Sequence, residues 1–389
     1  MSKQIYLDNA ATTQMSDAVK QAMEPYLQEN YGNASTAYSI GEDARRELEK
    51  SRGVIAATLH AKTSEIYFTS GGSESDNWAV KNIAAACKKK GRHIITTNIE
   101  HHAILNSCEY LEKLGYDVTY LEVDGDGLIS PEQVMDAIRP DTTLISVMFA
   151  NNEVGTIEPI YQIGKIAREK QILFHTDAVQ AYAQIPLSVN YYPVDLLSAS
   201  AHKFHGPKGV GFLYIRDGID IPSFIHGGSQ ERGKRAGTEN VAGIVGMAKA
   251  AEIAYGNMRK RVQKEIMLRN YLIERVMHEI PDAKLNGHRS IRLPGNVNFS
   301  FKGLEGASLL ILLDEDGICA SGGSACNTGE ERISYVIKAL GVPEEYAPGT
   351  IRLTLCGDTT RADVDAALVS LKRNIAVLLS LIHISEPTR

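Results

Sequence analysis

Between residues 65 and 215 the chain repeats one pattern: a short apolar run, a turn of small or polar residues, then a stretch with helical spacing. The apolar runs fall at 65–69, 93–96, 117–121, 143–149, 172–174 and 193–197. Helical stretches at 78–86, up to Lys113, at 131–138 and at 160–169 separate the first five. Strands joined through helices cannot pair as hairpins, because each helix must cross back over the sheet. The pattern therefore predicts an α/β fold with a mainly parallel sheet flanked by helices. The run 209–215 adds a strand whose direction the pattern leaves open. Ligands of such sheets bind outside the C-terminal ends of the strands. The residues that close each run are therefore the candidates for chemistry.

One closing segment is Ser198-Ala199-Ser200-Ala201-His202-Lys203-Phe204-His205-Gly206-Pro207-Lys208-Gly209. Its small residues leave the Lys203 amine unobstructed. An amine drawn out of water loses its charge readily and can form a Schiff base with an aldehyde. A lone lysine at a strand end is by default a surface cation, but the segment His175-Thr176-Asp177-Ala178-Val179-Gln180 changes that default. Asp177 closes the run 172–174, and a lysine and an aspartate at strand ends suit pyridoxal phosphate. The amine holds the aldehyde and the carboxylate pairs with the pyridinium nitrogen. In Ser70-Gly71-Gly72-Ser73-Glu74-Ser75-Asp76-Asn77, exposed N–H groups could hold a phosphate, or Ser73 or Ser75 could cap an ordinary helix. His101 follows the run 93–96 at the same sheet edge and could stack on a cofactor ring or move protons. His102 is expected to begin the next helix.

Composition narrows the other possibilities. With 389 residues and 43% hydrophobic content, the chain can bury a large core in about two domains. A net charge of −6 and no long basic block argue against nucleic acid and membrane surfaces as partners. Residues 1–8 lack the features of a signal peptide, and no apolar stretch is long enough to span a bilayer. Five scattered cysteines suggest no disulfide framework, so a cytoplasmic location is expected. No metal is expected either. Cys319 and Cys326 lack a second pair at zinc spacing, and Asp124-Gly125-Asp126-Gly127 lacks the later ligands of a calcium loop.

A long helical stretch from Asn240 to about Ile280, interrupted at Gly256 and ended by Pro281, leads to a second, smaller unit. That unit holds strands at 296–301 and 350–354, helices near 306–314 and 333–340, and a last helix that begins at 360–363. Its loop Ser321-Gly322-Gly323-Ser324-Ala325-Cys326-Asn327-Thr328-Gly329 sets Cys326 among small and flexible residues. Such a loop could swing a thiol toward a bound substrate, or be no more than a tight turn. Cys87, Cys108, Cys319 and Cys356 lie in helix- or strand-like runs and are expected to be small buried hydrophobes.

These segments, with Leu7-Asp8-Asn9-Ala10-Ala11-Thr12-Thr13, Glu100-His101-His102-Ala103, Asn151-Asn152-Glu153-Val154-Gly155 and Glu231-Arg232-Gly233-Lys234-Arg235-Ala236-Gly237-Thr238, stand in the order of a known family. From about Ile5 to Thr360 the chain resembles the class V aminotransferase-like enzymes of pyridoxal phosphate fold type I. Within them it resembles the cysteine desulfurases of the NifS/IscS type. The resemblance implies a large cofactor-binding domain at 16–255 and a smaller α/β C-terminal domain at 256–378 that carries the Cys326 loop. It also implies an N-terminal segment at 1–15 that packs with the small domain.

The resemblance also implies roles. Lys203 would bind the cofactor aldehyde and later move protons. His101 would stack on the ring and serve in acid–base steps, and Asp177 would pair with the ring nitrogen. Gln180 and Asn152 would lie near the phenolic oxygen or the substrate. Gly72, Ser73, Ser200 and His202 would hold the phosphate, with Thr238 reaching it from a partner subunit. Arg352 would grip the substrate carboxylate in a charge-assisted fork, with Asn33 nearby. Cys326 would attack the substrate sulfur and carry it as a persulfide. The family often has a histidine where Tyr38 stands and a basic residue near Asp358, so the substrate pocket is expected to differ in shape.

The implied activity is conversion of L-cysteine to L-alanine by a cytoplasmic homodimer that passes sulfur to an acceptor or iron–sulfur scaffold protein. Iron–sulfur cluster assembly, thiocofactor synthesis and tRNA thiolation are the destinations it leaves open. A selenocysteine lyase and a catalytically silent sulfur-assembly scaffold of the same fold are the alternatives. Residues 379–389 lack periodicity and look like the translation of a sequencing adaptor. They are expected to be a non-native tail, with the last helix ending near Leu378 and the natural C-terminus missing.

Overall fold

The computed structural model describes residues 4–322 and 333–385. Among these the centre is a seven-stranded sheet. Its strands lie in the order Ile66–Thr69, Gly211–Ile215, Leu196–Ser200, Leu173–Asp177, Thr142–Ser146, His93–Thr97 and Asp117–Leu121. Gly211–Ile215 runs antiparallel to both its neighbours, while the remaining pairs are parallel. The direction the sequence left open has a simple cause. No crossover helix separates Leu196–Ser200 from Gly211–Ile215, so the second strand must fold back on the first.

The strands inside the sheet are buried on both faces, so consecutive residues enter opposite layers. Ile95, Ile145, Leu197, Phe212 and Tyr214 join one core, with Ile55 and Leu59 of the helix Ser39–Leu59 and Met247 of Val241–Gly256. Ile94, Leu144, Leu196, Leu213 and Ile215 join the other, with Trp78 and Ile83 of Gly72–Ala86 and Leu111 of His102–Lys113. Trp78 is fully buried and its Nε1 donates to Pro222 O at 3.0 Å. Truncating a buried aromatic of this kind costs about 3–5 kcal/mol.

Ile66–Thr69 is a sheet edge, and side chains cover its open side. Glu231 Oε2 accepts from Phe68 N at 2.8 Å, and Arg52 Nη1 and Arg232 Nη2 donate to Ile66 O at 2.9 and 2.7 Å. Arg52 and Glu231 pair through a buried fork at 2.7 and 2.8 Å.

The strands Thr350–Thr354, Asn296–Phe301 and Ala283–Leu285 form an antiparallel sheet with its own core. Met258–Glu279, Gly306–Glu315 and Arg361–Ser385 supply helices to that core. The strand Ile5–Tyr6 pairs in parallel with Ile318–Cys319, and Leu7 is fully buried in the same core. The last helix does not end near Leu378 as the loss of pattern predicted. Leu378 and Leu379 pack on the small core, and no helix breaker follows before Pro387, so the helix propagates to Ser385.

The two sheets meet through the turn at 151–155, which follows Thr142–Ser146. Asn151 Oδ1 accepts from Glu153 N at 2.8 Å and Val154 N at 3.0 Å, folding the turn on itself. Glu153 O then accepts from Asn298 Nδ2 at 3.2 Å, and Asn152 O from Arg352 Nη1 at 2.9 Å. Gly155 has φ +78°, and a Cβ there would lie 2.6 Å from Asn296 Oδ1. Only glycine allows both that backbone and that approach.

Candidate active site

Asp177 closes the strand Leu173–Asp177 and is 5% exposed. Its Oδ1 accepts from Val179 N at 2.9 Å. Lys203 sits in the single turn Ala201–Lys203 that follows Leu196–Ser200. Its Nζ donates to the carbonyls of Ala10 at 2.6 Å and Ala11 at 2.8 Å, and Gln180 Nε2 donates to Ala10 O at 3.0 Å. The N-terminal segment thus lies across the C-terminal end of the sheet. His101 caps the helix His102–Lys113, its Nδ1 accepting from Ala103 N at 3.1 Å. A neutral His101 therefore carries its proton on Nε2.

Lys203, His101 and Asp177 form one electrostatic cluster. Burial raises the Asp177 carboxyl above its ordinary value, opposed by His101, the Val179 N–H and Lys203. Burial lowers His101, with Asp177 opposing and Lys203 and His102 reinforcing. Asp177 is thus a buried carboxyl whose local positive charge does not offset its burial, and a pyridinium nitrogen would complete it. The residues fit pyridoxal phosphate on that ground.

The helix Gly72–Ala86 begins beside this cluster. Its N-cap is Gly71, with no side-chain hydrogen bond, which corrects the expectation of a Ser73 or Ser75 cap. Ser75 turns inward instead, sharing a 2.8 Å hydrogen bond with Thr69 Oγ1 and donating to Gly71 O at 3.1 Å. Ser73 is exposed. Among the described residues no side chain takes the first N–H groups, which suits an anion. A Cβ on Gly72 would lie 2.6 Å from Val179 Cγ2, and Ser200 Cβ stands 3.7 Å from the same point. Glycine therefore lets the helix start close in on the ends of two strands. His202 Nδ1 meets Thr12 Oγ1 at 3.2 Å, and burial pushes its ring down to about 4, leaving it neutral.

Arg352, on the strand Thr350–Thr354, is 2% exposed. Its Nη2 donates to Asp8 Oδ1 at 2.7 Å, and its backbone pairs with Ser321 at 2.6 and 3.1 Å. Asn152 Oδ1 is buried and has no hydrogen-bond partner among the described residues. Cys326, with residues 323–329 of the expected thiol loop, lies outside the described residues. Asn33 and Thr238 are exposed. Asn33 Oδ1 accepts from Ser35 N at 2.9 Å within its own turn. Among the described residues no hydrogen bond joins Asn33 or Thr238 to Lys203, Asp177 or Arg352.

Sequence reasoning passed over two buried groups behind Asp177. His175 lies two positions earlier on the same strand, so alternation places it on the same face. Asp76 lies in the helix Gly72–Ala86, inside a segment read only for its phosphate-binding start.

The class V aminotransferase family profile matches residues 5–367. A relative named cysteine desulfurase IscS, from Dictyoglomus turgidum, is 51% identical over 381 residues, 98% of this chain and 97% of that protein. One of the same name from Methanosarcina thermophila is 52% identical over 367 residues, 94% of this chain and 91% of that protein. Among solved structures, a NifS-like protein has a TM-score of 0.91 at 40% identity, covering 97% of this chain and 100% of that one. Another, "SspA in complex with cysteine", has a TM-score of 0.81 at 36% identity, covering 92% of this chain and 100% of that one.

Proposed function

The chain belongs to the class V aminotransferase family, and we infer that it is a pyridoxal-phosphate-dependent cysteine desulfurase. It converts L-cysteine to L-alanine and leaves the sulfur on Cys326 as a persulfide. The observation that carries this reading is the Lys203–Asp177–His101 cluster at the strand ends, in a chain 51% identical to a protein named cysteine desulfurase IscS.

When bound, pyridoxal phosphate supplies an aldehyde for an amine and an electron sink for bonds at the substrate α-carbon. The protein supplies position and protons. Lys203 holds its amine at the end of Leu196–Ser200, where the carbonyls of Ala10 and Ala11 orient it. Asp177 offers its charge to the ring nitrogen. His101 offers a proton at Nε2, because Nδ1 is occupied by Ala103 N. The N–H groups of Gly72 and Ser73, with Ser200 and His202, hold the phosphate. Arg352 receives the substrate carboxylate, with Asn33 near it, and Gln180 and Asn152 lie near the phenolic oxygen or the substrate. In the net reaction the substrate gives its sulfur to the Cys326 thiol, an S–S bond replaces a C–S bond, and the freed carbon takes up a proton.

The active unit is a homodimer in which Thr238 completes the partner's phosphate site. Exposed Leu27, Tyr31, Tyr38 and Ile40 flank Asn33 and support a subunit interface on that side. The persulfide passes to a sulfur-acceptor or iron–sulfur scaffold protein in a reducing cytoplasm, which the scattered cysteines suit. Purified protein with pyridoxal phosphate and a thiol reductant should release alanine and sulfide from L-cysteine in equal amounts. Absence of alanine would overturn the reading. Sedimentation should give a dimer, and a fully active monomer at low concentration would count against the shared site.

A further inference from the structure

The helix Gly72–Ala86 carries an acidic side chain that the reaction as described does not use. Asp76 is 1% exposed, and its Oδ1 has no hydrogen-bond partner among the described residues. That oxygen lies 3.7 Å from Nε2 of His175, and among the described residues no lysine or arginine lies within ion-pair distance of it. His175 gives it no positive charge. The ring is fully buried between Ser146 Oγ at 2.9 Å and Ser198 Oγ at 3.0 Å, and burial pushes its pKa down to about 3. Among the described residues the other ionisable groups facing Asp76 are carboxyls: Asp177 on the same strand as His175, and Glu100 beyond His93–Thr97. Both disfavour a charge on Asp76, as does burial, and among the described residues only the Ser198 hydroxyl favours one. Two carboxylates sharing a buried space cannot both ionise cheaply. Asp177 has His101 and Lys203 to favour its charge, and Asp76 has neither.

We propose that Asp76 holds a proton and acts as a positioning residue, a neutral hydrogen-bonding group behind Asp177 that leaves Asp177 the single anion beneath the cofactor ring. The proposal rests on the reading of Asp177 as the partner of the ring nitrogen. A protonated Asp76 is a donor, and the Ser198 and Ser146 hydroxyls bracketing His175 extend a chain of neutral hydrogen bonds across the three adjacent strands that carry them. That chain fixes the wall against which Asp177 stands without adding a second negative charge.

Three measurements test it. The infrared difference spectrum of wild type minus Asp76→Asn at neutral pH should contain the carbonyl stretch of a protonated carboxylic acid. Carboxylate bands alone would overturn the proposal. Asp76→Asn keeps a neutral hydrogen-bonding group, so it should bind pyridoxal phosphate within about twofold of wild type and keep the position and pH dependence of the visible band. Asp76→Leu keeps the branched shape, with bulkier methyl groups, but removes the hydrogen bond. It should bind pyridoxal phosphate about tenfold more weakly and shift the pH dependence of the band, the scale of one buried hydrogen bond. Loss of the band in Asp76→Asn would show that a charge is required. Wild-type behaviour in Asp76→Leu would show that nothing is positioned. Should Asp76→Leu not fold, the infrared spectrum and Asp76→Asn still decide. Failure of the wild type to bind pyridoxal phosphate would defeat the reading of the site, while the infrared band would still report on Asp76.

Discussion

Arg352 and Asp8 form a nearly buried ion pair, Nη2 to Oδ1 at 2.7 Å, that ties the small sheet to the N-terminal segment. The pair holds one end of the guanidinium while Asn152 O holds Nη1. A substrate carboxylate bound there, as proposed, would meet a side chain whose orientation is already fixed, so little rotamer freedom would be lost on binding. Arg352→Lys keeps the charge but not the fork. It should raise KM for cysteine about 10- to 100-fold, the worth of one or two charge-assisted hydrogen bonds, while the visible band of the bound cofactor stays unchanged. Steady-state kinetics and absorption spectra check this, and an unchanged KM would remove Arg352 from carboxylate recognition.

Lys203→Ala should abolish both the visible band of lysine-bound pyridoxal phosphate and turnover. The Ala10 and Ala11 carbonyls that orient the amine cannot replace it, since neither is a nucleophile. Titration of the purified variant with pyridoxal phosphate provides the measurement. A wild-type spectrum would refute the assignment.

Cys326→Ser should still bind pyridoxal phosphate and cysteine but lose persulfide formation and nearly all sulfide release. Cys319→Ser should keep most of the activity. Cys319 is half-buried in the strand Ile318–Cys319, and Gln4 Nε2 donates to its sulfur at 3.0 Å, so it is held in place by the N-terminal segment. Mass spectrometry after incubation with cysteine and no reductant should find one added sulfur on Cys326. Finding it on Cys319 would identify a different thiol.

His175 should make stability depend on pH. Its folded pKa is about 3 against 6.5 for an ordinary histidine, so between those values the unfolded chain binds a proton that the folded chain refuses. At pH 7 both states are neutral and nothing is lost. Below pH 6.5 the residue destabilises the fold by up to about 1.4 kcal/mol per pH unit, levelling off near pH 3. The variant His175→Gln lacks this titration. The stability advantage of wild type over it, measured by urea unfolding, should shrink as pH falls from neutral toward 4. A constant difference would show that His175 is not held neutral.

The strand–helix alternation made the large sheet legible, because hydrophobic period and crossover geometry leave few alternatives. The placing of Asp177 and Lys203 at one sheet edge was legible for the same reason: each lies a few residues past an apolar run, and such ends gather there. The N-cap of Gly72–Ala86 was not. Two serines competed for it, and the outcome depended on Thr69 and Gly71, which draw Ser75 inward. Asp76 and His175 were missed because their relation is three-dimensional, a helix turn laid over a strand. The signal available was alternation, which sets His175 on the face of Asp177. The end of the last helix was misplaced because loss of periodicity was read as loss of helix. An apolar stretch without a breaker continues once the helix is nucleated.

The buried fork of Arg52 and Glu231 has a consequence for synthesis. A bare strand edge is a template on which another polypeptide can add itself. Here the cover for Ile66–Thr69 comes from a residue 179 positions beyond Arg52. While the nascent chain is extruded, that flank stands open until Glu231 has left the ribosome and folded back. Recruitment of a neighbouring nascent strand is therefore a hazard of the growing chain, and it closes only when the late segment docks.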